Sequence, residues 1–235
     1  MKIGVKTFDN PLFLKHFKEK VDFFEIQAIQ TNDYSFLKNF SLPMMIHAEN
    51  ARWNVDLSDK SKKDFNLKAI NFARKIADFS GSKKIIIHPG MKKGRLFSID
   101  STIEFLKEVN DKRILVENII EGVGSFPEDI KEIIKETKVG FCFDVNHAIE
   151  CARGSKLEVF EVIKDFLKLN PSHFHIGGQN GYKTHLSLKD FDYDWKEILS
   201  LYPKNSEITL ETTIGAKEVE EDVKFIKKII KKCEQ

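Results

Sequence analysis

KIIIHP at 84–89, RILVEN at 113–118 and VGFCFDVNH at 139–147 are short apolar runs, each closed by a residue able to bind a metal. A half-exposed strand alternates apolar and polar residues, whereas a parallel strand covered on both faces reads as an unbroken hydrophobic run. These segments therefore predict a buried parallel sheet. Working outward, similar strands fall at 2–8, 22–28, 43–48, 172–177 and 206–212, making eight strands with a helix expected after each. Residues 59–80 place Phe65, Ala69, Phe72, Ala73, Ile76 and Phe79 at spacings of three and four, with Gly81 as a C-terminal cap. Val219, Val223, Ile226, Ile230 and Cys233 repeat that design in the last helix. Asn10-Pro11 and Ser125-Phe126-Pro127 mark helix starts, because the first turn has no use for the N–H that proline lacks.

Eight βα units in 235 residues predict an α/β protein, a single (β/α)8 TIM barrel domain spanning 1–235, near the ~250 residues typical of that fold. An open doubly wound sheet would spread its strand ends along a line, but a barrel gathers all eight C-terminal ends around one mouth, where active sites of this architecture lie. Side chains distant in sequence would then converge.

Composition narrows the function classes. With 41% hydrophobic and 31% charged residues the chain can bury a full core, and no apolar run approaches the ~20 residues of a membrane span. No membrane association and no protein partner is predicted. The N-terminus MKIGVKTF reads as a first strand, without the apolar region and small-residue cleavage site of a signal peptide, so the cytoplasm is the expected location. A net charge of +2 does not by itself announce a nucleic-acid binder. The three cysteines form neither a disulfide framework nor a CxxC knuckle; Cys142 and Cys233 read as core, and Cys151 as structural. Lysines 62, 63, 227, 228, 231 and 232 read as solvated helix faces, whereas Lys92, Lys93 and Arg95 follow strand 4 at the predicted mouth, positioned to meet a phosphate.

The potential ligands are Glu117, Asp144 and Glu211 with His47, His88, His147, His175 and His185, five of the seven histidines. A lone strand-end histidine is more often a hydrogen-bonded loop residue, and a lone carboxylate often caps the next helix. Their concentration at ends that one fold brings together points instead to a shared site. His16 and His173 are read as structural. Mixed imidazole and carboxylate ligation suits zinc, manganese or iron better than magnesium or calcium.

The order His47, His88-Pro89-Gly90, Glu117-Asn118, Asp144-x-x-His147, His175, His185 and Leu210-Glu211 resembles the endonuclease IV family (AP endonuclease family 2) of the xylose isomerase-like TIM barrel superfamily. The resemblance covers nearly the whole chain. It implies a hydrolase, a DNA-repair enzyme that cleaves a phosphodiester of abasic DNA with a metal-activated water. It further implies that His47 and His88 hold one zinc, that Glu117 bridges to a second bound by Asp144 and His175, and that Glu211 completes the cluster. His147 and His185 would belong to a third zinc. The family has an aspartate two residues before the last histidine; here that place is Lys183, which cannot ligate while protonated, so two Zn2+ and at most a weak third are expected. Glu117, Glu211 and Lys183 are the candidate catalytic residues. Arg52 and Trp53, in ENARWN, would contact substrate, as a minor-groove wedge if that substrate is DNA.

Two other readings accompany this one. A sugar or sugar-phosphate isomerase or epimerase of the same superfamily would use one metal, often Mn2+, on Glu117, Asp144, His175 and Glu211, with His147 and Lys183 contacting substrate oxygens. A metal-binding barrel without catalysis is the third.

Overall fold

The computed structural model describes residues 1–90, 98–181, 183–212 and 214–233. Lys92, Lys93 and Arg95 lie outside the described residues. Eight strands close a wholly parallel barrel: β1 (Lys2–Thr7), β2 (Phe23–Gln27), β3 (Met44–His47), β4 (Ile85–Ile87), β5 (Ile114–Glu117), β6 (Gly140–Asp144), β7 (His173–Ile176) and β10 (Glu207–Leu210). Neighbours follow chain order, and β10 pairs with both β7 and β1. Each lies within a segment expected from the sequence.

The helices pack outside and begin where the local chemistry dictates. Asn10 accepts from the Phe13 amide to cap α1 (Pro11–Phe17), and Pro127 opens α4 (Pro127–Thr137). Gly81, at φ 71°, ends α2 (Lys63–Ser80). The remaining helices are α3 (Ile99–Val109), α5 (Val145–Gly154), α6 (Val159–Leu167), α7 (Trp195–Ser200) and α8 (Ala216–Cys233).

Three connections depart from the expected regularity, one of them the pair of helices α5 and α6 between β6 and β7. After β2 there is no α-helix, only a 3-10 turn at Ser35–Asn39. Tyr34 holds that loop instead, its hydroxyl donating to the Gln27 carbonyl and accepting from the Ile29 amide. After β7 the chain forms an antiparallel hairpin, β8 (Gly178–Asn180) with β9 (Lys183–Leu186), before the short α7. Gly181 supplies the left-handed φ of 59° at its turn.

Because side chains alternate along a strand, every second residue faces the barrel axis. Two inward positions are glycines that make room for large neighbours: a methyl group at Gly4 would overlap the Phe23 ring, and one at Gly140 would overlap Leu115. Phe23, Leu115, Ile86 and Cys142 are buried, and the last three form a small interior cluster apart from the main core between strands and helices. Above this apolar floor the inward positions turn polar toward the C-terminal rim. Gly4→Ala is accordingly expected to destabilise the fold by about 1–3 kcal/mol through overpacking; urea unfolding at unchanged stability would show that Phe23 can move aside.

Candidate metal centre

The strands deliver the ligands in register. His47 pairs across from Gln27 and Ile86, and Asp144 across from His175, which in turn faces Thr209. Of four potential ligand groups among the described residues, two are formed by the expected ligands alone: His47, His88 and Glu117, and Glu117, Asp144, His175 and Glu211, the atoms of each lying within 4.8 Å of one another. Glu117 belongs to both. Its Oε2 stands 3.1 Å from His47 Nε2 and 3.3 Å from His88 Nε2. Its Oε1 stands 3.2 Å from His175 Nδ1, which is also 3.1 Å from Glu211 Oε2.

Hydrogen bonds to acceptor-only groups assign the protons on several imidazoles. A backbone carbonyl cannot donate, so a ring nitrogen bonded to one must carry the hydrogen. His47 Nδ1 lies 2.8 Å from the Ala48 carbonyl, His147 Nδ1 2.8 Å from that of Asn118, and His185 Nδ1 2.9 Å from that of Glu211. When neutral, each of these rings therefore keeps its lone pair on Nε2. The lone pair of His47 then points at a carboxylate oxygen 3.1 Å away, an arrangement that repels unless a proton or a cation lies between. Donor atoms of one tetrahedral zinc shell sit roughly 3.3 Å apart, given bonds of about 2.0–2.2 Å. The separations here match that spacing. Glu211 Oε2, buried and without a hydrogen-bond partner, adds a further oxygen suited to an ion.

Electrostatics favour a cation as well. Glu25, Glu117 and Glu211 surround the largely covered ammonium of Lys6, whose Nζ is 2.5 Å from Glu211 Oε1 and 3.3 Å from Glu25 Oε1. Burial pushes the Asp144 carboxyl up, with Glu117 and Glu211 adding to the rise. For Glu117 burial acts in the same direction, but His175 and His88 outweigh it and hold the carboxyl well below its ordinary range. Burial lowers His88, while Glu117 acts in the opposite direction. Burial would also lower His147, yet Asp144, Glu117 and Glu211 raise it.

Neighbouring groups fix the carboxylates. Asp144 caps α5 by accepting from the His147 amide, and the Asn118 side chain bridges the Asp144 amide and carbonyl, both at 2.8 Å. Asn146 clamps Gly177 in the same two-point manner, setting the corner from which the hairpin brings His185 over the rim.

A cavity of about 230 Å³ opens above the centre, lined by Lys6, Gln27, His88, His147, His185 and Glu211, with Phe8 and Trp53 at its sides. Trp53 lies near Phe8, ring centroids 6.4 Å apart, and the exposed Arg52 guanidinium sits 5.8 Å from the Trp53 ring centre. Both Arg52 and Trp53 thus reach the mouth. Lys183 does not: it is exposed near the hairpin turn and does not line this cavity. A larger hollow of about 560 Å³ lies to one side, bordered by Phe126, Glu150 and Cys151, away from the ligands.

Sequence reasoning missed Lys6 and Glu25. Their signal was present, since a charge inside an otherwise apolar buried strand such as KIGVKT or FFEIQ is seldom left unpaired. His173, read as structural, sits one inward layer below His175, and burial lowers it to about 4, so it stays neutral. Cys142 is buried beside His175 and Glu117, its thiol pushed up to about 12 by burial. Cys233 packs against the core but remains partly exposed.

A closed parallel barrel with two imidazole–carboxylate groups at the C-terminal rim defines the class: a (β/α)8 barrel whose rim side chains could hold a metal ion. The chain belongs to the xylose isomerase-like TIM barrel family, whose model matches residues 15–229. A D-tagatose 3-epimerase-like protein superposes with a TM-score of 0.80 at 19% identity, covering 100% of this chain and 98% of the other. Endonuclease IV from Thermus thermophilus gives 0.71 at 17% identity over 99% and 100%. The IOLI protein with a binding zinc atom gives 0.73 at 15% identity over 99% of both chains. At these identities the likeness is one of fold. No curated protein matches the sequence significantly. Among the described residues no helix is long and apolar enough to cross a membrane.

Proposed function

We propose that this chain is a two-zinc phosphodiesterase of the endonuclease IV type, acting on abasic DNA. The observation that carries the reading is the division of Glu117, with Oε2 turned to His47 and His88 and Oε1 to His175. One metal would need only Glu117, Asp144, His175 and Glu211, leaving His47 and His88 without a task. Paired zinc ions supply Lewis-acid stabilisation of the attacking and leaving oxygens of a phosphoester displacement.

The protein's own groups complete the chemistry. Lys6 holds Glu211 by Oε1, which leaves Oε2 turned toward His175 and the centre. His147 and His185, each oriented by a backbone carbonyl, line the cavity where a phosphate would enter. Arg52 and Trp53 stand at the rim, placed to meet the flanking backbone or fill the gap left by a missing base. With Lys183 exposed instead of an aspartate beside His185, two ions are expected and a third is at most weak.

One observation favours the sugar isomerase or epimerase reading. The cavity of about 230 Å³ is smaller than the ~300–1,000 Å³ typical of small-molecule pockets and suits a compact sugar. Elemental analysis beside two assays separates the readings. Two zinc ions per chain with nicking of abasic duplex DNA is the expected result; a single metal with epimerisation of ketoses and intact DNA would overturn it.

A further inference from the structure

His175 is oriented differently from His47, His147 and His185. His47, His147 and His185 direct Nδ1 at backbone carbonyls, whereas His175 turns Nδ1 toward Glu117 and Glu211 and buries Nε2 against Glu25 Oε2 at 2.9 Å. Glu25 is fully buried in β2, one inward layer below the rim. Its Oε2 also accepts from the Thr209 hydroxyl at 2.8 Å and lies 3.3 Å from His173 Nε2, while Lys6 faces Oε1 at 3.3 Å.

These contacts leave little freedom. Glu25 with His173 and His175 has the spacing of a ligand group, but Oε2 already has three neighbours able to donate to it, which makes the carboxylate a hydrogen-bond hub instead of part of a metal shell. An ionised carboxylate only accepts, so His175 Nε2 must carry a hydrogen; Nδ1, 3.2 Å from Glu117 Oε1, carries a second one without a metal, and it is that hydrogen a bound cation would replace. A partner on the far side of a metal-binding imidazole fixes both its tautomer and its direction.

We infer that Glu25 is the positioning residue of the centre: it holds a hydrogen on His175 Nε2 and so presents Nδ1 to the metal shared with Glu117, Asp144 and Glu211. The role rests on the proposed metal centre, but the Nε2 hydrogen can be read without any metal. Sequence patterning reveals no such role, because it depends on a contact between β2 and β7 that crosses the barrel interior.

The test pairs a spectrum with a titration. In metal-free protein labelled with 15N-histidine, wild type is expected to show a slowly exchanging Nε2–H proton on His175, assigned by its disappearance in His175→Asn. Glu25→Leu should lose that signal and weaken zinc binding by about 10–100-fold, measured by competition with a chromogenic chelator. Glu25→Gln, whose amide oxygen can still accept, should keep the signal at a shifted position and recover part of the affinity. An absent signal in wild type, its persistence in Glu25→Leu, or equal zinc affinity in Glu25→Leu and wild type would each overturn the inference. Should Glu25→Leu not fold, an Nε2–H resonance unmoved in Glu25→Gln would do so. If wild type binds no zinc, the metal-centre reading fails on its own, and the spectrum still decides whether Glu25 holds the Nε2 hydrogen.

Discussion

Glu117→Gln is expected to disable both halves of the centre at once, taking the chain from about two bound zinc ions to none and cleavage of abasic DNA to background. The substitution keeps the volume of a side chain that is fully buried, so the barrel should still form. What changes is charge and donor pattern. One of the two atoms facing His47 and His88 or His175 becomes an N–H₂, which repels a cation where the carboxylate attracted it. The consequence extends to stability, because a ligand present at 1,000 times its Kd stabilises the folded state by about 4 kcal/mol. For a chain of this length that corresponds to a rise of about 8–16 °C in the thermal midpoint. Wild type should show such a rise on adding zinc and Glu117→Gln should not. Full zinc content in the variant would remove the bridging role.

His88→Ala dissects the centre. It takes one imidazole from the group of His47, His88 and Glu117 and leaves Glu117, Asp144, His175 and Glu211 untouched. The expected result is loss of one zinc, retention of the other, and a fall in phosphodiester cleavage of more than ~100-fold, beyond what losing an outer partner of a ligand costs. His88 is the suitable residue because its side chain is 17% exposed, so truncation opens onto the cavity and disturbs packing less than removing the fully buried His47 would. Elemental analysis with single-turnover nicking checks both parts. Undiminished activity with one metal bound would move the assignment to the single-metal sugar reading.

The barrel was legible because its strands are short apolar runs, and such runs occur where both faces of a sheet are covered. The eight ligand candidates were legible for a related reason: a charged or imidazole side chain ending an apolar run has to find a partner. The structure brings seven of them into contact or near contact around Glu117, Asp144 and Glu211, and sets His185 at the rim. Lys6 and Glu25 each stood out as a charge within a buried strand, but which groups they and Thr209 would meet is set by register across the barrel, which one strand does not encode. The hairpin at Gly178–Leu186 was not legible either. Gly178 is there because its neighbour's backbone leaves no room for a side chain, a constraint visible only once Ser187 is in place.

Sequence alone determined the alternation of strands and helices, hence the closed barrel and the rim at which its polar strand ends meet. Periodicity and strand-end chemistry are local properties, carried by a few consecutive residues. The tertiary structure decided how the donors divide: which oxygen of Glu117 serves which histidines, which nitrogen of each ring is turned to the centre, and that Lys6 stands beside it and Glu25 beneath it. These are properties of distances of about 3 Å between residues as far apart as Glu25 and His175, and only closure of the barrel brings such groups within reach.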